Sequence, residues 1–495
     1  MAEIVDFAGL VLIVAAGCVL AVLATKVTER VAIPAPAIFL IAAAVASDLW
    51  PALNDVVQIK TVERIAVVAL IVILFNGGID VGWRRLRDVA GPVLSLGLVG
   101  TFLTAGGLAV VAHYLLGFGW PVAAVVGAAL APTDPAVTFS VLGRRELAGP
   151  AGSTLEGEAG VNDPAGIALM VGVIELTTRH AASGWSIVGE FVLAMGVGTA
   201  FGVAAGRLAV PLLRRVHLAS ESLYPILGLA LAGALYGVTS LAHGSGFLAV
   251  FLMGLVVGDA RLPYKAEIER FHASLASLAE LLVFAALGAT VELSRLSASD
   301  WLDGLVLAVV LALAIRPIVV LITLRASRLD AREKTFVAWS GLKGAVPILL
   351  AALAVLGGVD DAQRIYGIVF VAVLASVLGQ GTLVPVVARR LGIPMRERER
   401  LPWELSVRLS ADPSDTHEFR VEPGSPADGR TIRELPLTDD AWISLVVRDG
   451  ATIEPHGHLP LRAGDRLQVL SSSHPQQLAQ VFATDATQAE HSAGG

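Results

Sequence analysis

Glu158, Asn162 and Asp163 stand together in a stretch that is otherwise apolar from residue 157 to about residue 173. Residues four apart share a helix face, so Glu158 and Asn162 lie together and Asp163 sits one position round. Carboxylates at that depth in a hydrophobic helix are costly, and they persist mostly where an ion, a proton or a counter-charge uses them. Asp163 offers a hard oxygen suited to Na+ or K+. Without a cation it takes a proton, because burial disfavours the bare charge. One group that holds a proton or a cation, but not both, is the minimum machinery for exchange. The alternative is structural: Asp163 before Pro164 is a pair common in turns and could cap a helix at a loop.

Three further motifs bear on that stretch. In Ala131-Pro132-Thr133-Asp134-Pro135, two prolines flank a polar pair in an apolar window. Proline removes a backbone donor and clashes with the preceding turn, so a broken helix is expected. Broken helices at membrane depth expose ends and carbonyls that bind ions. Thr133 could lend its hydroxyl or its carbonyl to a cation, and Asp134 would offset the positive N-termini of half-helices. A proline kink with a capping Asp is the alternative. Ser340-Gly341-Leu342-Lys343-Gly344-Ala345-Val346-Pro347 is a second interruption, now carrying a cation suited to carbonyl ends. Lys343 could instead snorkel from a shallow position. Arg316, beside Pro317, lies inside an apolar window and needs an anion; Glu158 is the best candidate, unless Arg316 snorkels to a helix end.

These residues must be positioned by membrane helices. The 495-residue chain is 55% hydrophobic and only 16% charged, against about 25% charged in a soluble protein. Apolar windows fall at residues 7–24, 33–49, 62–79, 90–116, 119–142, 155–177, 186–212, 223–240, 242–258, 274–291, 300–323, 335–356 and 363–388. This predicts an all-α polytopic membrane protein of about thirteen transmembrane helices. Basic clusters follow the odd-numbered windows, among them Arg84, Arg85 and Arg87, then Arg144 and Arg145, then Arg214 and Arg215, and finally Arg389 and Arg390. The positive-inside rule puts these loops in the cytoplasm, the N-terminus outside and the C-terminus inside. The interruptions fall in the fifth and twelfth windows, which correspond in two six-span halves with the seventh as connector. Matched interruptions point to an inverted-repeat transporter.

Several classes are excluded. The single Cys18 allows no disulfide framework or cysteine metal site. Residues 1–9 carry Glu3 and Asp6 and no basic region, unlike a cleaved signal peptide. The net charge of −7 is spread out, and nothing resembles a nucleic-acid-binding surface. Gly244-Ser245-Gly246 beside His243 reads as a helix start rather than a nucleophile. Asn76 and Asp80 mark the end of the third window, although Asn76-Gly77-Gly78 could pack tightly against another helix. Glu280 is ambiguous.

Composition shifts after Leu391. We expect a transmembrane domain at 1–391, a charged linker at 392–404, a small α/β domain at 405–485 and a small, polar, disordered tail at 486–495. Alternating runs from Trp442 to Val447 and from Arg466 to Leu470, with Asp449-Gly450 and Gly464-Asp465 turns, mark its strands.

Gly157-Glu158, Asn162-Asp163-Pro164, Thr133-Asp134-Pro135, Arg316-Pro317 and Gly341-Leu342-Lys343-Gly344-Ala345 together resemble the monovalent cation–proton antiporters of the NhaP/NHE type, over about residues 7–390. The resemblance implies a thirteen-helix inverted-repeat fold with core and dimerisation domains, hence a homodimer. It also implies an Asn162-Asp163 pair in which Asp163 binds the ion, a Glu158–Arg316 pair, and one-for-one electroneutral exchange. Two positions depart from it: Ala159, where archaeal relatives often have a serine ligand, and Lys343, where many relatives have arginine. Residues 429–435, 441–443, 448–450 and 461–467 are similar to the RCK C-terminal (TrkA-C) module, without the GxGxxG half that binds nucleotides. Antiporters with this module resemble the potassium–proton, cell-volume-regulation branch. The expectation is therefore a plasma-membrane antiporter, not an enzyme, exchanging K+ or Na+ for H+ without a cofactor. A small molecule, a nucleotide or a partner protein would act on 405–485. The rivals are a gated cation channel, for which no filter-like repeat is present, and an intramembrane protease, for which no convincing catalytic pair is present.

Overall fold

The computed structural model describes residue 19 and residues 34–50, 58–142, 145–147, 149–178, 184–397, 416–437, 441–448, 451–471 and 475–483. The window at 7–24 apart from residue 19, the expected linker beyond residue 397, the Asp449-Gly450 turn and the expected tail lie outside these residues. The chain divides into two compact units, one built on the apolar helices and the other on the C-terminal strands.

In chain order the helices of the first unit are α1 (Ala35–Leu49), α2 (Ile59–Val81), the short α3 (Trp83–Asp88), α4 (Ala90–Tyr114), α5 (Trp120–Ala129), α6 (Pro135–Leu142), α7 (Pro150–Thr178), α8 (Gly184–Arg215), α9 (Leu223–Leu241) and α10 (Gly246–Gly258). They continue with α11 (Lys265–Ala289), α12 (Ala298–Thr323), α13 (Ala331–Trp339), α14 (Ala345–Leu356) and α15 (Ala362–Leu391). Among the described residues, eight helices are long and apolar enough to cross a membrane, and four shorter apolar helices accompany them. Both expected interruptions are present. α5 and α6 are separated by an unwound segment at residues 130–134, and α13 and α14 by another at 340–344.

In lipid, helices gain no hydrophobic free energy by meeting, so close backbone approach does the work. Gly198, Gly202 and Gly206 recur every fourth residue on α8, and a Cβ at each would meet Ser245, Ala249 or Val256 of the α10 region. The other side of α10 meets α2: a Cβ on Gly78 would strike Phe251 and Gly254, and one on Gly254 would strike Phe75 and Gly78. Gly78 thus packs as the sequence allowed, while Gly77 faces open space. Ser245 caps α10 by accepting a hydrogen bond from the Leu248 amide, so this serine starts a helix.

Proline shapes α12. Pro317 has no N–H to give to the turn before it, and the helix runs as a π-turn over Leu311–Ile315 just ahead of Arg316. α15 carries a similar π-turn at Ser376–Gln380, followed by a 3-10 turn at Gly381–Leu383 and then Pro385. Pro164 and Pro211, by contrast, sit inside continuous helices. A two-stranded antiparallel sheet joins β1 (Arg145–Leu147), between α6 and α7, to β2 (Met395–Glu397), which follows α15.

The second unit is a four-stranded antiparallel sheet in the order β3 (Thr416–Arg420), β6 (Arg466–Ser471), β4 (Ala441–Arg448), β5 (Ala451–Ile453), with α16 (Pro475–Phe482). The two strands read from the sequence are β4 and β6. They pair with each other, with a bulge between Ile443 and Leu445. Gly464 takes φ +94° in the turn before β6, a conformation that suits glycine. Val421, Ile443, Val446, Leu461, Leu467, Val469 and Phe482 form its core. In water each such side chain contributes about 1.5–3 kcal/mol on burial, a driving force the first unit lacks between its helices. Arg448 of β4 forms an ion pair with the buried Asp465, with Nη2 and Oδ2 2.7 Å apart.

Candidate functional site

The two unwound segments and the middle of α7 meet, and the meeting is built from glycines. A Cβ on Gly166 of α7 would run into Pro132 of the first break. One on Gly341 would strike the Arg316 guanidinium, and one on Gly344 would fall on the Asp134 carboxylate. The Gly341-Leu342-Lys343-Gly344 pattern therefore makes room for an arginine on one side and a carboxylate on the other.

Each break compensates the other. Lys343 is 1% exposed, which rules out snorkelling, and its Nζ donates to the carbonyls of Ala131 and Pro132 at 3.0 and 2.8 Å. Those carbonyls close the C-terminal end of α5, where a cation is favoured. Asp134 serves the opposite ends. Its Oδ1 accepts from the Ala136 amide at 2.9 Å, and its carboxylate faces the amides of Val137 and Ala345 at the starts of α6 and α14. Its own amide donates to the Leu342 carbonyl at 2.8 Å.

Glu158 is held by Arg316. Arg316 Nη1 donates to Oε1 at 2.6 Å and Nη2 to Oε2 at 2.7 Å, a two-pronged pair with both side chains buried. The π-turn before Arg316 and the glycine at 341 give this side chain its place, and the pair leaves no room for the snorkelling alternative. Thr133 donates to Glu158 Oε1 at 3.2 Å and accepts from Asn162 Nδ2 at 2.7 Å. Its hydroxyl, one of the two groups expected to face a cation, is thus committed to these neighbours.

Asp163 lies within the 29-residue helix α7 and is not a terminal cap. It is 8% exposed, and its Oδ1 has no hydrogen-bond partner; Asn162 Oδ1 is likewise buried and unpaired. Ala159, one turn before, is buried and supplies no oxygen. Thr133, Asp134, Glu158, Asn162, Asp163, Arg316 and Lys343 are all buried or nearly so around the two breaks.

The sequence reading missed other members. Thr138 donates to the Ser340 carbonyl at 3.1 Å, and Ser376 and Gln380 of α15 bind the second break. Nothing distinguishes such residues in a sequence, because a serine or threonine in a helix commonly bonds its own preceding turn. Glu280 of α11, left without a role, has a buried Oε1 with no hydrogen-bond partner. No group of three or more metal-ligating side chains is present among the described residues.

Residues 8–390 match the family model described as sodium/hydrogen exchanger, transmembrane. The chain belongs to the sodium/hydrogen exchanger family. Residues 416–483 match the TrkA-C domain, so the exchanger carries that module at its C-terminal side. The K(+)/H(+) antiporter NhaP of Alkalimonas amylolytica is 31% identical over 464 residues, covering 93% of this chain and 80% of that protein. The K(+)/H(+) antiporter NhaP2 of Shewanella sp. (strain MR-4) is 31% identical, covering 91% and 79%. The Na(+)/H(+) antiporter ApNhaP of Aphanothece halophytica is 27% identical, covering 84% and 78%. Among solved structures, the sodium proton antiporter MjNhaP1 of Methanocaldococcus jannaschii superposes with a TM-score of 0.66 at 24% identity, over 76% of this chain and 97% of that one. This exchanger thus has the membrane fold of that antiporter, with broken helices crossing beside α7.

Proposed function

We propose that this exchanger is a secondary antiporter that moves K+ one way and H+ the other, with Asp163 as the group that carries each in turn. The observation that carries the reading is the division of charge at the crossing. Glu158 is bound to Arg316, Lys343 to carbonyls and Asp134 to amides. Among the described residues at the crossing, Asp163 is the carboxylate left with an uncommitted oxygen. A carboxylate without a fixed counter-charge must be neutralised to sit in a water-poor site, and either a proton or a monovalent cation does so. Asn162 adds a neutral oxygen, so one cation or one proton balances the pair and the cycle is electroneutral.

The preference for K+ rests on the K(+)/H(+) antiporters that are similar over more than nine-tenths of the chain. Na+ is the second reading, supported by the sodium antiporter of lower identity. Asp163 and Asn162 would hold the cation, with Thr133 and Asp134 lining the site. We place the protein in the plasma membrane with its N-terminus outside and its C-terminal domain in the cytoplasm, on the charge of its loops, and as a homodimer on its resemblance to the antiporter family. The TrkA-C domain would regulate transport in response to a small ligand. The protein acts as a transporter and not as an enzyme.

The test is exchange by the full chain in proteoliposomes, with K+, Na+ and Li+ gradients compared. Asp163→Asn should abolish cation-driven proton movement while the protein still purifies as a folded species. Near-normal dissipation of a pH gradient by that variant would defeat the assignment, and ion currents far above carrier rates would favour a channel.

A further inference from the structure

The second break has no helical ladder to satisfy its backbone, and at membrane depth each unsatisfied amide or carbonyl is costly. Some of its groups are met within the crossing. The Ser340 carbonyl accepts from Thr138 Oγ1 at 3.1 Å and from the Leu342 amide at 2.8 Å, and the Leu342 carbonyl accepts from the Asp134 amide. Two others, the Trp339 carbonyl at the end of α13 and the Lys343 amide, are met from α15.

Those two are joined by one relay of hydrogen bonds. The Lys343 amide donates to Ser376 Oγ at 3.1 Å. The Ser376 hydroxyl donates to Gln380 Oε1 at 3.3 Å. Gln380 Nε2 donates in turn to the Trp339 carbonyl. The Lys343 amide can only donate and the Trp339 carbonyl can only accept, so the relay runs in one direction. Ser376 and Gln380 are 5% and 9% exposed, and they stand at the two ends of the π-turn of α15. Turns of this kind recur at functional sites. At the next residue, Gly381, a Cβ would lie 3.4 Å from the Leu342 side chain, so the π-turn is pressed directly against the break.

We infer that Ser376 and Gln380 clamp the second break and thereby fix the aim of Lys343, making them positioning residues for the cation site. This inference rests on the reading of Asp163 as that site. The clamp anchors the Lys343 backbone while its ammonium reaches across to the first break. Freed from Ser376 and Gln380, the segment shifts relative to α7, and the field felt by a cation at Asp163 changes. The binding of the ion suffers before the protein's ability to fold.

The experiment measures K+-driven proton movement by the full chain in proteoliposomes for Ser376→Ala, Gln380→Met and the double variant, alongside melting in detergent. Each single variant should raise the apparent KM for K+ by about five- to tenfold, the loss expected of one buried hydrogen bond, with maximal rate within about twofold of the parent. The double variant should be no worse than the poorer single, because a relay broken at one link is already lost. Should Gln380→Met fail to fold, Ser376→Ala carries the test. An unchanged KM in folded Ser376→Ala, losses confined to maximal rate and tracking the melting temperature, or fully additive losses would each overturn the clamp. Asp163→Asn in the same preparation separates the two ideas. Exchange retained there refutes the site itself, whereas exchange lost there with an unchanged KM in Ser376→Ala refutes the clamp alone.

Discussion

Glu158 and Arg316 show how a buried charge is satisfied inside the fold. Their two-pronged contact leaves neither carboxylate oxygen of Glu158 open, and both side chains are at most 4% exposed. Removing one partner of such a pair strands a buried charge and costs about 3–5 kcal/mol, while removing both costs much less. Glu158→Leu and Arg316→Met should each lower the stability of the detergent-solubilised protein by roughly that amount. The double variant should be more stable than either single. Thermal unfolding followed by intrinsic fluorescence checks this, and equal or additive losses would contradict it. Asp163, one turn further along the same helix, should behave in the opposite way: its replacement by Asn is expected to cost transport and not stability.

Among the elements, glycine rows and proline positions decide how helices meet. Gly198, Gly202 and Gly206 bring α8 against α10, and Gly78 and Gly254 bring α2 against the other side of α10. At Gly202 a Cβ would collide with the Ala249 backbone, whereas Gly196, on the same helix, faces open space. Gly202→Leu should therefore destabilise by at least about 1–3 kcal/mol, the usual cost of overpacking. Gly196→Leu should be near neutral. Comparing their melting in the same detergent reads the difference; equal effects would mean that α8 does not pack through this row. The breaks follow similar logic. Prolines 132 and 135 bound the first, and Gly341 and Gly344 admit Arg316 and Asp134 at the second.

For the molecule as a whole, the two units rest on different physics. The C-terminal sheet has an apolar core of its own, including Val446, Leu467 and Phe482, each at most 1% exposed. The membrane unit depends on backbone approach and on polar groups satisfied inside it. Its β1–β2 pairing ties the connector before α7 to the segment after α15, so the helix bearing Asp163 and the path to the C-terminal unit share a small sheet. A chain ending at residue 400 keeps both strands. It should retain exchange in proteoliposomes at a rate within a few-fold of the full chain while losing any response to ligands of the C-terminal domain. Complete loss of exchange would show that the C-terminal unit is needed for transport itself.

Much of this was legible in the sequence because the relevant physics is local. A polar residue in an apolar run is costly wherever the run folds, and proline lacks its donor in any context. Glu158, Asn162, Asp163, both breaks and nearly all the described helices could be read on those grounds. The pairing of Glu158 with Arg316 was the best available match of opposite charges, and the structure supplies its geometry across 158 residues of sequence. The role of the hydroxyl of Thr133, the service of Thr138 to the Ser340 carbonyl and the relay through Ser376 and Gln380 were not legible. Such side chains are ordinary in a sequence, and their partners are side chains brought in from distant segments or backbone groups that become orphans only once the chain is broken and brought together. The sequence by itself determined which groups are too costly to bury alone. The tertiary structure decided which of them are satisfied, because satisfaction depends on approach between distant segments, and Asp163 is the carboxylate at the crossing that this approach leaves open.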